Sequence, residues 1–194
     1  TNYVTVNDCA NITLAVGGAP VMSDQPDDAA EICRLASALV FNIGTPGDRT
    51  LEAMLRAGKA ANEAGIPVVL DPVGAGASSF RNRLLEKLLE EVKFAAVKGN
   101  ISEIRFLASG TGKSMGVDAS KDDIALGSDI TAVARLAAGL SRGIGAVVIV
   151  SGRTDVAADG ERAYGISNGD AMMGRLTGTG CILRHGHVPH APHG

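Results

Sequence analysis

The sequence contains no tryptophan, and aromatic residues make up only 3% of its 194 residues. Many proteins that bind single-stranded nucleic acid stack the bases on aromatic side chains, so this scarcity argues against that class. The sequence also has no excess of positive charge, because 18 Lys and Arg residues face 21 Asp and Glu residues. Phosphate backbones are bound mainly by basic surfaces, so a net charge of -3 predicts no nucleic-acid partner.

Cysteine is scarce, and the three cysteines, Cys9, Cys33 and Cys181, lie far apart without a C-x-x-C pair. This pattern indicates neither a disulfide framework nor a zinc ribbon, and we expect a reducing compartment, the cytoplasm. Apolar runs are short of the roughly 18 residues that a membrane-spanning helix needs. The sequence therefore predicts no membrane partner.

Short apolar runs rich in β-branched residues alternate with segments of helical spacing. The predicted strands are Ala38–Ile43, Pro67–Val73, Phe94–Lys98 and Ala146–Val150. They are apolar on both faces, as parallel strands covered by helices on both sides should be. Apolar stripes at helical spacing precede or follow them, at 51–58, 84–92 and 130–140. We therefore predict an α/β fold with a mostly parallel central sheet and right-handed crossovers.

Two later segments complete the predicted organisation. Val156–Ala158 and Arg162–Ile166 flank an Asp-Gly pair, which suits a type I′ turn and predicts a late antiparallel hairpin. The polar, glycine-rich stretch 110–127 is interpreted as a mobile loop. With no repeat and no linker, the chain is predicted to form one domain over residues 1–183.

In open α/β sheets, ligands bind beyond the carboxyl ends of the strands. The clusters that follow the predicted strands begin at Asn42, Asp71, Lys98 and Ser151. Asp71 and Glu103 are the carboxylates best placed for a hydrated divalent metal ion, which needs only one or two. The alternatives are a turn residue before a proline for Asp71 and a first-turn helix carboxylate for Glu103.

Residues 177–181 read Thr-Gly-Thr-Gly-Cys, a glycine-flanked turn before an apolar pair. If a helix starts there, its free N–H groups form an anion site and its dipole favours a thiolate. The alternative is an ordinary glycine turn that ends in a small buried residue. A P-loop at 109–114 is rejected, because Leu107 stands where its first glycine belongs.

All four histidines fall within the last ten residues, between prolines. The tract has no fixed helical or strand spacing, so we interpret residues 184–194 as a tail rather than a metal site.

Seven motifs, taken together and in their order along the chain, are specific enough to indicate a protein family. They are the opening 1–11 (TNYVTVNDCAN), GGAPVM at 17–22, NIGT at 42–45, VLDPVGAGA at 69–77, KGNISE at 98–103, GVD at 116–118 and TGTGC at 177–181. This series resembles the hydroxyethylthiazole kinase family, over about residues 1–183. The resemblance implies a ribokinase-like fold and transfer of the ATP γ-phosphoryl group to the alcohol of 4-methyl-5-(2-hydroxyethyl)thiazole, with Mg²⁺, in thiamine salvage.

The resemblance also implies roles for individual residues on the substrate side. Asn2 and Met22 match positions that line the thiazole pocket, and Met22 supplies a soft apolar wall. Gly178 matches the anion-binding turn beside the substrate. Cys181 stands where related sugar kinases carry an aspartate base, and we treat its role as a base as a hypothesis.

On the nucleotide side, Lys98 falls where the family usually has an arginine that touches ATP. Lysine keeps the charge but loses the bidentate fork. Ser151 replaces a usual threonine and keeps its hydroxyl, and Asn100 belongs to the Asn-x-x-Glu motif at the nucleotide. Asp71 and Glu103 match the region that holds the metal and the phosphates.

Family members carry further residues before Thr1 and further helices after Cys181, so the resemblance implies an incomplete kinase domain. It also implies a homotrimer with active sites between subunits. Two alternatives stay open. One is another ribokinase-like activity, whose members usually have aspartate at position 181. The other is a non-catalytic domain that binds nucleotide weakly or self-associates.

Overall fold

The computed structural model describes residues 2–109, 129–167, 170 and 181. Within these ranges the helices are α1 (Val6–Ala15), α2 (Pro26–Cys33), α3 (Asp48–Glu63), α4 (Ser79–Glu91), α5 (Ile101–Ser109) and α6 (Ile130–Ile144). The strands are β1 (Leu39–Asn42), β2 (Val68–Asp71), β3 (Ala96–Asn100), β4 (Val147–Ser151), β5 (Asp155–Ala158) and β6 (Ala163–Ile166). The predicted loop at 110–127, the turn at 177–180 with Gly178, and the tail at 184–194 lie outside the described residues.

The six strands form one sheet in chain order, from β1 to β6. Strands β1 to β4 pair in parallel, and β5 and β6 add an antiparallel hairpin to β4. The prediction of a mostly parallel sheet with a late hairpin is confirmed. Each parallel pair is joined through helices, as a parallel connection requires.

Local sequence signals set the helix boundaries. The Ser78 hydroxyl caps α4 by accepting from the Arg81 N–H, and the Asp129 carboxylate caps α6 by accepting from Thr131 and Ala132. Helix α3 ends before Gly65, whose φ of +71° suits a residue without a Cβ. Helix α3 therefore ends just before a glycine that lies two residues before Pro67.

The turn of the hairpin differs from the prediction. Gly160 has a φ of +92°, but Asp159 is not in the left-handed region, which a type I′ turn would require at both central positions. Instead the Asp159 carboxylate accepts from the N–H groups of Glu161 and Arg162, at 3.0 and 2.8 Å. These bonds close a longer loop, and they lower the pKa of Asp159, with the bond from Arg162 the larger cause.

The hydrophobic core lies between the sheet and the helices packed against it. On one sheet face, Val97, Val148 and Val156 are fully buried. They share this core with Ile104 of α5 and Ala137 of α6. Burial of each large aliphatic side chain stabilises the fold by about 1.5–3 kcal/mol.

The opposite sheet face positions the polar residues. Asn42 pairs with Asp71 across β1 and β2, so their side chains share one face. Leu70 pairs with Val97, and therefore the next residues, Asp71 and Lys98, also share that face. All three are at most 2% exposed. Asn42 and Asp71 are the last residues of β1 and β2, whereas Lys98 lies in the middle of β3. Farther along the sheet, at β6, this face is exposed to solvent, and Tyr164 is 60% exposed.

In the part of the chain described, no helix combines the length and the hydropathy that crossing a membrane requires.

Candidate functional site

Asn42, the last residue of β1, has one possible amide orientation. Its Oδ1 accepts from the Gly44 backbone N–H at 2.9 Å, and a backbone N–H can only donate. Oδ1 also accepts from Asn2 Nδ2 at 2.7 Å. The Asn42 Nδ2 group therefore points the other way, where it donates to Asp71 Oδ2 and to Cys181 Sγ, the latter at 3.2 Å.

Asn2 is fixed in the same way by the start of the chain. Its Oδ1 accepts from the backbone N–H groups of Val4 and Thr5, both at 3.0 Å, and from the Thr5 hydroxyl at 3.1 Å. Its Nδ2 group is thereby directed at Asn42 and, at 3.6 Å, at Cys181 Sγ. The Asn2 side chain joins the first residues of the chain to the edge of the sheet.

Four side chains thus meet at the carboxyl edge of β1 and β2. Asp71, Asn42, Asn2 and Cys181 are 1, 2, 5 and 9% exposed. The sulfur of Cys181 accepts from two amide groups, and one oxygen of Asp71 accepts from one of them. Hydrogen bonds in such a buried setting are electrostatically stronger than in water. The predicted residues Asn2, Asp71 and Cys181 are therefore brought together, with Asn42 as the link between them.

Gly44 leaves room for this cluster. A Cβ at Gly44 would lie 2.9 Å from Asn42 Oδ1 and 3.0 Å from both Cβ and Nδ2 of Asn2. Position 44 therefore accepts a side chain only if both amides move.

The Glu103 carboxylate lies at the start of α5 and forms a reciprocal cap with Asn100. Glu103 Oε2 accepts from the Asn100 N–H at 2.8 Å, and Asn100 Oδ1 accepts from the Glu103 N–H at 2.9 Å. The other oxygen, Oε1, accepts from the Gly74 N–H at 3.0 Å. Glu103 is thus the first-turn helix carboxylate of the alternative interpretation, but at 6% exposure it is buried, and it links α5 to the segment after β2.

The other predicted site residues occupy different environments. Lys98 is 1% exposed within the sheet, whereas Asn100 is exposed. The Ser151 hydroxyl donates to the Gly99 carbonyl at 3.2 Å, at the ends of β4 and β3. Met22 is half-buried before α2. The structure leaves their predicted roles toward ATP and the thiazole ring untested.

A second cysteine borders the cluster. Cys9 Sγ donates to the Thr5 hydroxyl at 3.7 Å, and Thr5 in turn donates to Asn2. Burial raises the pKa of the Cys9 thiol, while the bond to Thr5 lowers it to a smaller extent. Cys9 is thus held as a neutral thiol behind the site.

The sequence placed Asn42 at the ligand-binding edge of the sheet without a specific role, and it singled out neither Thr5 for its side chain nor Arg81. Asn42 carries a signal, since it is the polar residue in an otherwise apolar strand. Arg81 carries none, because its bonds to Ile43 and Gly44 depend on how distant segments fold together. Thr5 bonds to Asn2 only three residues away, but its residue type does not mark it as part of a site.

The carboxylates fit a hydrated metal ion rather than an all-protein cage. Among residues 2–109, 129–167, 170 and 181, no group of three or more His, Cys, Asp and Glu side chains could hold a metal ion. Mg²⁺ usually keeps several waters and needs one or two carboxylates besides substrate phosphates. Asp71 and Glu103 supply two carboxylates, which are 1% and 6% exposed.

Comparison with known proteins identifies the group to which the chain is similar. A chain of Clostridium beijerinckii named hydroxyethylthiazole kinase is 50% identical over 182 residues, which are 94% of this chain and 65% of that protein. A protein of the same name from Desulfovibrio desulfuricans is 52% identical over 182 residues, 94% of this chain and 64% of that one. The chain thus spans just under two thirds of the length of these relatives.

A solved structure and a family model agree with these relatives. The hydroxyethylthiazole kinase structure from Pyrococcus horikoshii OT3 superimposes with a TM-score of 0.82 at 35% identity, covering 95% of this chain and 66% of that one. The model of the hydroxyethylthiazole kinase family matches residues 1–187. The chain belongs to the hydroxyethylthiazole kinase family.

Proposed function

We propose that the protein transfers the γ-phosphoryl group of ATP to the primary alcohol of 4-methyl-5-(2-hydroxyethyl)thiazole, as a step of thiamine salvage. The observation that carries the proposal is the meeting of Asn2, Asn42, Asp71 and Cys181 at the carboxyl edge of a parallel sheet. Ligands of open α/β sheets bind at this edge. The family membership supports the choice of reaction and substrate.

In the proposed reaction, the alcohol oxygen forms a bond to the γ-phosphorus while the bond from that phosphorus to the β-phosphate oxygen breaks. ADP leaves with the electrons of the broken bond, and the hydroxyl gives up its proton. Such transfers depend mainly on positioning and on neutralisation of charge, so the protein needs only a weak base.

We assign the reacting hydroxyl to the neighbourhood of Cys181, which in its thiolate form accepts the hydroxyl proton and becomes a thiol. Support comes from the two amides that hold the sulfur in place, Asn2 Nδ2 and Asn42 Nδ2. On this assignment Met22 and Asn2 border the thiazole ring, with Gly178 beside the substrate. The amide network orients the sulfur, so that the proton acceptor does not have to reorganise during the transfer.

We assign ATP to Lys98, Asn100 and Ser151, and Mg²⁺ to Asp71 and Glu103. When bound, Mg²⁺ neutralises charge on the phosphates. The Glu103 carboxylate also holds the Gly74 and Asn100 backbone in place, which keeps the two segments at a fixed separation. Lys98 contributes a point charge without the fork of an arginine.

The test is formation of the phosphorylated alcohol by the purified chain from ATP and the thiazole alcohol, with and without Mg²⁺. We expect product that requires both ATP and the metal. No product, together with ATP binding, would support the non-catalytic alternative. Phosphorylation of other small alcohols or pyrimidines in preference to the thiazole would support a different kinase.

A Cys181→Ser variant tests the role of the sulfur separately. We expect a lower kcat with little change in the KM for ATP, because the change acts at the acceptor. Unchanged turnover would remove Cys181 as the base while leaving the reaction itself intact.

Two further assignments accompany the function. We place the protein in the cytoplasm, supported by its free and buried cysteines, which suit a reducing compartment. The family resemblance favours a homotrimer, and light scattering on the purified chain measures that mass directly.

A further inference from the structure

Arg81, in the first turn of α4, makes three hydrogen bonds to main-chain carbonyls near the site. Its Nη1 donates to the carbonyl oxygens of Ile43 at 2.7 Å and Val73 at 2.9 Å. Its Nη2 donates to the Gly44 carbonyl at 3.0 Å. One guanidinium group therefore joins the segment that follows β1 to the segment that follows β2.

The Arg81 side chain also lies directly against Gly74. A Cβ at Gly74 would be 3.3 Å from Arg81 Cδ and from Nε, and Gly74 has a φ of +73°. The missing side chain at Gly74 lets the guanidinium lie close to the backbone. On its other side the Gly74 N–H donates to Glu103, so the segment is held from two directions.

Both joined segments continue directly from residues of the cluster. Ile43 and Gly44 follow Asn42, and the Gly44 N–H donates to the Asn42 side chain. Val73 lies two residues after Asp71. Movement of one segment relative to the other would change the contact between Asn42 Nδ2 and Asp71 Oδ2.

The place of this arginine in its helix argues against a role in helix stability. A positive charge in the first turn of a helix opposes the helix dipole, which favours negative charge there. The three carbonyl bonds compensate for that unfavourable placement. Only the planar fork of arginine can serve several acceptors in fixed directions, and lysine offers a single point charge.

We propose that Arg81 is a positioning residue, which fixes the distance between the segments after β1 and β2 and thereby holds Asn42 against Asp71 for phosphoryl transfer. The catalytic part of this inference rests on the proposed function. The fixing of the two segments is a property of the protein whether or not it turns over.

The experiment compares Arg81→Ala and Arg81→Lys with Arg83→Ala. Arg83 is exposed in the same helix and serves as the matched control. Hydrogen exchange followed by mass spectrometry reports on peptides that cover 42–46 and 72–77. We expect both Arg81 variants to exchange roughly tenfold faster in these peptides, while peptides of α3, α6 and β4 keep their protection.

Steady-state kinetics then tests the positioning. We expect kcat to fall roughly tenfold to a hundredfold in both Arg81 variants, with a smaller change in the KM for ATP, because misplacement acts on the transition state. Added guanidinium ion should partly restore kcat in Arg81→Ala and leave Arg83→Ala unchanged.

Three results would overturn the inference. The first is a hydrogen-exchange rate in peptides 42–46 and 72–77 of the Arg81 variants that equals the rate in Arg83→Ala. The second is a loss of protection in the Arg81 variants that is uniform across the chain. The third is full activity of an Arg81 variant in which the two segments exchange faster. A wild-type protein that forms no product contradicts the proposed function instead, and the exchange data still decide whether Arg81 fixes the two segments.

Discussion

Asn42 uses every hydrogen-bonding site of its side chain. Its oxygen accepts from Gly44 and Asn2, and its amide hydrogens go to Asp71 and Cys181. An amide has two acceptor and two donor sites, so no alternative orientation satisfies the same four groups. Loss of one partner would leave a buried polar group unsatisfied, at about 1–3 kcal/mol.

Gly44→Ala should disturb this arrangement without touching any reacting group. The added methyl group would lie 2.9–3.0 Å from atoms of Asn42 and Asn2, so both amides must shift. Displacement by about 1 Å at a reacting site can lower a rate about a hundredfold. We therefore expect a fall in kcat of about that size, measured by steady-state kinetics.

Gly47→Ala is the control for this substitution. A Cβ there meets only Thr50 Oγ1, at 3.9 Å, and the backbone at Gly47 is extended. It should keep wild-type activity. Equal activity in the two variants would contradict the close packing of the site.

Glu103→Gln should destabilise the protein, because both carboxylate oxygens accept backbone N–H groups. A glutamine would place its side-chain NH₂ group against one of these backbone N–H groups, so that two hydrogen-bond donors face each other. We expect a loss of about 1–3 kcal/mol in the free energy of unfolding by urea. Glu90→Gln, at an exposed position of α4, should unfold as the wild type does.

How far the sequence predicts the site depends on how each residue is bonded. Asp71 and Glu103 follow apolar strands, so their place at the sheet edge could be read from the pattern. The contact of Arg81 with Ile43 spans 38 residues, and no local pattern encodes it. Cys181 was singled out from its glycine-flanked turn and Asn2 only through the family resemblance, and no local pattern predicts that these two residues, 179 apart, lie in contact.

At the scale of elements, α3 packs through a residue that has no side chain. A Cβ at Gly58 would lie 2.7 and 2.8 Å from the two methyl groups of Val92 and 3.2 Å from Phe41. We expect Gly58→Ala to destabilise the fold, because overpacking costs about 1–3 kcal/mol and outweighs the better helix propensity of alanine.

Gly139→Ala in α6 should instead stabilise the fold. Nothing lies within 4 Å of a Cβ at this exposed helical position, so only the propensity gain of about 0.5–1 kcal/mol applies. Urea unfolding midpoints measure both variants. A higher midpoint for Gly58→Ala would show that Val92 and α3 separate more easily than the packing implies.

The helices and strands could be predicted from the sequence where neighbouring residues alone determine them. Four parallel strands follow from apolar runs bounded by polar or small residues, and β1, for example, lies within the predicted 38–43. The hairpin was predicted from its Asp-Gly pair, but the predicted type I′ turn was wrong, because the Asp159 side chain forms bonds that close a longer loop. Helices α1 and α2 were not predicted.

At the scale of the whole molecule, two buried thiols should make stability depend on alkaline pH. Burial raises the pKa of both Cys9 and Cys33 above the ordinary value of 9.0. The unfolded chain therefore ionises first as pH rises. Their contribution to stability is complete below 9.0 and is lost as pH rises through the raised values in the fold.

Cys33→Ala separates this effect from other alkaline titrations. Cys33 lies in the core, 3% exposed and apart from the site cluster. We expect the free energy of unfolding of the variant to fall less steeply than that of the wild type as the pH rises above about 9. Parallel pH profiles would contradict the raised pKa of this thiol.

The most direct test of the account is ³¹P NMR of ATP, Mg²⁺ and the thiazole alcohol with the wild-type chain and with Asn42→Leu. Leucine keeps the volume of the side chain but removes its four hydrogen bonds. We predict a phosphate-ester signal and ADP with the wild type, and no ester with a folded Asn42→Leu protein. An ester formed equally fast by both proteins would contradict the claim that phosphoryl transfer occurs at the carboxyl edge of β1 and β2.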